Sequence, residues 1–191
     1  MGLPTWLTLG RIIMIPILVI LFYMPYKWAN LAATVVFCLA AATDWLDGFL
    51  ARRLNQSSAF GAFLDPVADK LMVAVALVLL VQTNATPWFA VPAAVIIGRE
   101  ITVSSLREWM AEIGERAKVA VSWTGKFKTV AQMGAVIFLL YHDPLFGIPT
   151  QEIGIVLLYV AAVLTLWSMV MYLKAAWPSL YARRNKLDSR L

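Results

Sequence analysis

The chain has 191 residues, 61% of them hydrophobic and only 14% charged, with a formal net charge of +5. Soluble domains run nearer 45–50% apolar and about 25% charged, so this composition excludes an ordinary soluble domain and points to a single compact integral membrane domain. The basic residues are scattered among apolar spans, which fits an excess on the cytoplasmic side better than a nucleic-acid partner, and none is expected.

In chain order, residues 1–8 read as a short surface segment with Pro4 and Thr5 before an apolar run; Thr5 or Thr8 could cap the first helix. No basic leader or small-residue cleavage site precedes it, so no cleavable signal is expected. A first span is predicted from about Leu7 to Met24, with Arg11 near its start, where an arginine can snorkel to the interface. Pro25 and Lys27 mark a turn. The second span runs from about Asn30 to Arg53 and holds the lone cysteine, Cys38, read as a buried small hydrophobe. Asn55 to Ser58 is a polar turn, and the third span covers about Phe60 to Val81. After an uncharged turn, Gln82 to Pro87, a fourth span reaches about Trp109 and contains Arg99, Glu100 and Arg107. Charges so placed need a partner or a cavity. A mixed-charge stretch, Glu108 to Lys118, precedes a fifth span at about Gly125 to Tyr141. The sixth runs from about Glu152 to Leu173, and residues 178–191 form a basic tail.

An even number of spans puts both termini on one side. The odd connections hold Lys27, Asp143 and Glu152; the even ones hold Arg52, Arg53, Arg107, Arg116, Lys118, Lys126 and Lys128. The positive-inside rule therefore places the termini and the even connections in the cytoplasm. Trp28, Trp88, Trp109, Trp123 and Trp177 lie near span ends, as interfacial anchors do.

The most informative stretch is Asp44-x2-Asp47-Gly48-x2-Ala51-Arg52-x8-Gly61-x3-Asp65-x3-Asp69. At about 100° per residue, Asp44, Asp47, Gly48, Ala51 and Arg52 share one broad helix face, and Gly61, Asp65 and Asp69 share a face of the next helix. An aspartate inside a spanning helix costs roughly 2.5–3.5 kcal/mol on insertion scales. Several together cannot stay ionised in a low dielectric without cations. Single aspartates near helix ends are usually caps, but the whole pattern within apolar helices is not explained that way. Carboxylates without cysteine or histidine suit a hard divalent cation such as Mg²⁺, which also accepts substrate phosphates. Gly48 and Ala51 keep the face shallow enough for a nucleotide, and Arg52 offers a forked donor to a phosphate.

This pattern resembles, without a gap, the signature of the CDP-alcohol phosphatidyltransferases. Outside it, Leu3-Pro4-Thr5 to Arg11, Gly98-Arg99-Glu100 to Arg107-Glu108-Trp109-Met110, and Ser122 to Gln132 resemble bacterial phosphatidylglycerophosphate synthases, so the likeness covers nearly the whole chain. The resemblance implies an all-α membrane fold of six transmembrane helices around a polar cavity open to the cytoplasm, in the bacterial inner membrane, assembled as a homodimer. It implies a pair of Mg²⁺ ions (or Mn²⁺) held by Asp44, Asp47 and Asp65, with Asp69 as a further ligand and as the catalytic base. It assigns the CDP portion of CDP-diacylglycerol to Thr5, Gly48, Ala51, Arg52, Ser58 and Gly61. Gly2 stands where the family often has asparagine, so that side-chain contact is missing here. The implied reaction transfers the phosphatidyl group of CDP-diacylglycerol to glycerol 3-phosphate.

An acceptor that carries its own phosphate needs a second basic pocket. Arg99, Arg107, Lys126 and Lys128 are the candidates, with Thr129 and Gln132 one turn on; the competing reading of the same residues is positive-inside charge. Serine or inositol phosphate as acceptor, a cation transporter lined by the aspartates, and a purely structural membrane scaffold are the rival readings. Against a transporter, the carboxylates cluster at one level, and Arg52 beside them would repel cations.

Overall fold

The computed structural model describes residues 3–54, 59–114, 123–145 and 147–188; within these ranges it leaves the side chains at 3–5, 45, 47–54, 59–63, 65, 123–126 and 179–188 undescribed. The described residues form six α-helices: α1 (Leu3–Phe22), α2 (Lys27–Leu54), α3 (Ala59–Thr83), α4 (Pro87–Glu112), α5 (Trp123–Tyr141) and α6 (Thr150–Asp188). No strand occurs among them, only an isolated bridge between Leu145 and Ile148 in the α5–α6 connection.

The helix ends follow local chemistry. Thr86, extended at φ −118° and ψ 146°, precedes α4, and Pro87 fills its first turn, where a missing N–H has no cost. Beyond α4, Gly114 adopts φ +78° and donates to the Ala111 carbonyl at 3.1 Å, a left-handed stop that glycine takes without strain. Buried Thr150 opens α6 by donating to the Asp143 carbonyl at 2.8 Å, which ties down the preceding connection.

The interior is built from small and medium side chains. Ala33, Ala40, Ala76, Ala93, Ala135 and Ala161 are almost fully buried, beside Leu18, Phe37, Leu77, Leu80 and Ile96. Large apolar side chains face outward instead: Ile13, Val78, Val91, Val130, Val163 and Trp167 are each at least 60% exposed. In water such a belt would drive association; in lipid it is neutral, and small interior residues let helices approach closely. Gly154 shows the closeness, since a Cβ there would lie 2.7 Å from Leu139 Cγ across the α5–α6 interface. Besides that interface, α1 packs on α2 and α3, α4 on α6, and α5 on α2 and α3.

Among the described residues, three helices are long and apolar enough to cross a membrane: Pro66–Thr83 of α3, Pro87–Glu112 of α4 and Thr150–Pro178 of α6. Trp6–Phe22 and Phe127–Tyr141 are shorter apolar helices.

Four expectations change. Thr8 does not stand at a helix start: α1 begins at Leu3 and holds Thr8, fully buried, within it. Arg11 does not snorkel outward; it is 1% exposed and ion-paired inside. Cys38 is only partly buried. Helix α6 does not stop near Leu173 but continues through Pro178 to Asp188, because the segment after Leu173 is rich in alanine, leucine, lysine and arginine, which favour helix.

Candidate active site

Helices α2 and α3 bring Asp44 and Asp69 within electrostatic reach of each other. Continuous α2 keeps positions 44, 47, 48 and 51 at helical spacing, and α3 does the same for 61, 65 and 69. Asp44 accepts a hydrogen bond from Arg11 Nη1 at 2.7 Å. The pair joins α1 to α2, with the arginine buried and the Asp44 side chain 44% exposed. A carboxylate can sit this deep because a buried guanidinium stands beneath it, while its outer side stays accessible. Asp69 lies on α3 within electrostatic reach of Asp44, Arg11, Glu100 and Lys70. A gap of about 10 Å³ separates Asp69 from Arg11, with Phe37, Met72 and Met133 around it.

The other signature residues are placed by backbone only. Asp47, Gly48, Ala51 and Arg52 lie in α2, Gly61 and Asp65 in α3, and Thr5 in the first turn of α1, but their side chains lie outside the described residues, as does all of Ser58. No group of three metal-binding side chains occurs among the described residues, which do not include the side chains of Asp47 and Asp65.

Beside Asp69 opens a polar cavity of about 220 Å³ walled by four helices. Helix α3 contributes Asp69 and Lys70, α4 Arg99, Glu100 and Arg107, α5 Lys128, Thr129 and Gln132, and α6 Tyr172. Four cationic side chains face two carboxylates there, a surplus of two positive charges. Glu100 Oε1 accepts from Arg99 Nη1 at 2.9 Å and from Lys128 Nζ. Arg99 Nη2 donates to Ser168 Oγ at 3.0 Å, and Arg107 Nη2 to Tyr172 Oη at 2.8 Å. Both guanidiniums also lie over the Tyr172 ring, at 5.7 Å and 5.1 Å from its centre. Despite these contacts, the buried Nε atoms of Arg99 and Arg107 have no acceptor. Two arginines with unused N–H donors, lining a positively charged hollow, make a receptor for an anion.

Three of the four basic residues singled out in the sequence thus meet in one cavity; the Lys126 side chain lies outside the described residues. Lys128 is only 4% exposed, which is not where a lysine serving membrane orientation alone would sit. Sequence reasoning missed the contributions of Lys70, Ser168 and Tyr172. Lys70 carried a signal, a charge inside an apolar span. Ser168 and Tyr172 carried none, because α6 is apolar around its whole circumference.

A larger cavity, about 510 Å³, lies between α3 and α4, lined mostly by apolar side chains including Val67, Leu71, Ile97 and Ile101. Lys70 and Glu100 line both cavities, so the apolar hollow meets the polar one at these two residues. Lys70 also donates to Ser104 of α4 across that boundary.

Residues 1–167 match the CDP-alcohol phosphatidyltransferase family. The chain is 56% identical over 183 residues to a CDP-diacylglycerol–glycerol-3-phosphate 3-phosphatidyltransferase of Yersinia pestis (strain Pestoides F), covering 94% of this chain and 97% of that protein. It is 57% identical over 175 residues to the protein of the same name from Salmonella choleraesuis (strain SC-B67), covering 92% and 94%. With that of Sodalis glossinidius (strain morsitans) it shares 58% over 183 residues, covering 95% and 98%.

Proposed function

Since the chain belongs to the CDP-alcohol phosphatidyltransferases, we propose that it transfers the phosphatidyl group of CDP-diacylglycerol to glycerol 3-phosphate, releasing CMP. The observation that carries the acceptor is the polar cavity, where Arg99, Arg107 and Lys128 stand beside Asp69. Its surplus of two positive charges matches a phosphate monoester dianion, whereas serine, a zwitterion with no net charge, would leave that surplus uncompensated. The names of the similar proteins agree. The adjoining apolar hollow suits an acyl chain of the lipid substrate.

In this reading residues 1–191 form one domain that crosses the bacterial inner membrane six times, with α1, α2 and α5 completing the crossings, and the cavity opens to the cytoplasm. The excess of lysine and arginine in the even-numbered connections over the odd-numbered ones supports that orientation. A homodimer follows from the family resemblance.

The donors fit a divalent metal. They are carboxylates alone, on facing positions of α2 and α3, and Asp44 remains accessible although Arg11 pairs with it. Asp44, Asp47, Asp65 and Asp69 would hold Mg²⁺ (a pair of ions, or Mn²⁺). When bound, the metal supplies electrostatic stabilisation to the phosphoryl oxygens. The chain's own residues do the rest. Gly48, Ala51, Arg52, Gly61, Thr5 and Ser58 hold the CDP portion. Arg99, Arg107, Lys126 and Lys128 hold the acceptor phosphate, which orients the acceptor's terminal hydroxyl toward Asp69. Asp69 takes the hydroxyl proton as the oxygen attacks the lipid-side phosphorus. The new P–O bond forms in line with the bond to CMP, which breaks with its electron pair on the departing CMP.

CMP release from CDP-diacylglycerol by the purified protein tests the reading. Turnover should require both glycerol 3-phosphate and a divalent cation and should stop with a chelator. Serine or plain glycerol serving as well as glycerol 3-phosphate would exclude the proposed acceptor.

A further inference from the structure

One atom of the polar cavity is explained neither by the phosphate nor by the transferred proton. Gln132, on α5, is 5% exposed, lines the cavity, and its Oε1 is buried without a hydrogen-bond donor. Leaving a buried amide oxygen unsatisfied is costly. Arg99 and Arg107 each keep a buried Nε without an acceptor, yet among the described residues no donor, theirs included, reaches Gln132 Oε1. The next residue, Met133, lines both the polar cavity and the small gap shared by Asp69 and Arg11. This turn of α5 therefore stands beside Asp69. Lys128 lies four residues earlier on the same helix, about 6 Å along its axis, and belongs to the phosphate end of the cavity.

We propose that Gln132 Oε1 accepts a hydrogen bond from the middle, non-reacting hydroxyl of a three-carbon phosphorylated alcohol, and so selects an acceptor that carries a hydroxyl between its phosphate and its reacting end. The inference rests on the reading of this cavity as the acceptor site. The set of groups on the wall supports it: cations at Arg99, Arg107 and Lys128, a proton acceptor at Asp69, and an unsatisfied hydrogen-bond acceptor at Gln132. Glycerol 3-phosphate presents a matching set: an anion, a terminal hydroxyl and a secondary hydroxyl. Sites built to pair with a substrate hydroxyl discriminate strongly against the analogue that lacks it, because the buried partner is then left unpaired.

The test compares sn-glycerol 3-phosphate with 3-hydroxypropyl phosphate, which lacks only the middle hydroxyl, as acceptors for the full-length protein in mixed micelles. The wild type should favour glycerol 3-phosphate in kcat/KM by about ten- to a hundredfold. Gln132→Leu, which removes the acceptor at similar volume, should bring that ratio to within about threefold of unity. Gln132→Glu, which keeps an oxygen acceptor, should retain a clear preference. If leucine is poorly tolerated, Gln132→Met, unbranched and close in volume, carries the same expectation. A wild type active with glycerol 3-phosphate whose preference survives in the leucine or methionine variant overturns this inference alone. A wild type that uses neither phosphorylated alcohol overturns the acceptor assignment, and the inference with it.

Discussion

Replacing Arg107 by alanine probes the cavity most directly. Its Nη2 binds the Tyr172 hydroxyl at 2.8 Å, its guanidinium stands 5.1 Å from the Tyr172 ring centre, and its Nε is buried with no acceptor. The tyrosine thus fixes the guanidinium while leaving a donor for an incoming anion. A hydrogen bond involving a charged group contributes roughly 1.5–3 kcal/mol, which corresponds to about 10- to 140-fold in an equilibrium constant. Arg107 is only partly buried, so solvent screening favours the lower part of that range, about 10- to 30-fold. Stability should fall slightly as well, because the contact with the ring contributes roughly 0.5–1 kcal/mol. The assay is the initial rate of CMP release in mixed micelles, with each substrate varied at saturation of the other. KM for glycerol 3-phosphate should rise by that factor, while KM for CDP-diacylglycerol should stay within about twofold. An equal rise for both substrates would refute a pocket dedicated to the acceptor. Unchanged kinetics in poorly expressed protein would mean that Arg107 serves only to orient the chain in the membrane.

Asp69→Asn should lose far more in turnover than in CDP-diacylglycerol affinity, since a base acts on the transition state; a loss of affinity with normal turnover would contradict that role. Asp44→Asn and Asp47→Asn should each abolish Mg²⁺-dependent turnover and also the thermal stabilisation that Mg²⁺ gives the wild type, and either variant retaining both would remove it from the metal site. Tyr172→Phe keeps the ring under Arg99 and Arg107 but removes the hydroxyl, so KM for glycerol 3-phosphate should rise by less than in Arg107→Ala while the melting temperature barely moves. A reporter fused after Leu191 should be active only when it is of the cytoplasmic kind; activity of a periplasmic reporter there would invert the orientation.

The positions of the helices and the signature could be read along the chain, because both depend on local spacing. Apolar length and the lysine and arginine distribution mark spans without reference to what packs on them. The turn after Val81 and the start of α4 at Pro87 fall where the sequence puts them, since Thr86-Pro87 acts through its own backbone. The spacing of Asp44 and Asp69 within their helices is likewise a local property. The partners of the buried charges are not. Arg11 looked like a residue bound for the interface, yet it pairs with Asp44, 33 positions away, because α1 packs against α2. Glu100 gathers Arg99 and Lys128 from two helices, and Ser168 and Tyr172 hold the arginines from a third. Nothing along α6 marks those two residues, since its circumference is apolar and a serine or tyrosine there could as well face lipid. Only the packing of α4 on α6 turns them inward, and burial then requires that each polar atom find a partner or a ligand. The sequence by itself determined that charged groups lie within the apolar spans; the tertiary structure decided which of them meet, because a low-dielectric interior forces opposite charges into contact wherever the helices bring them within reach.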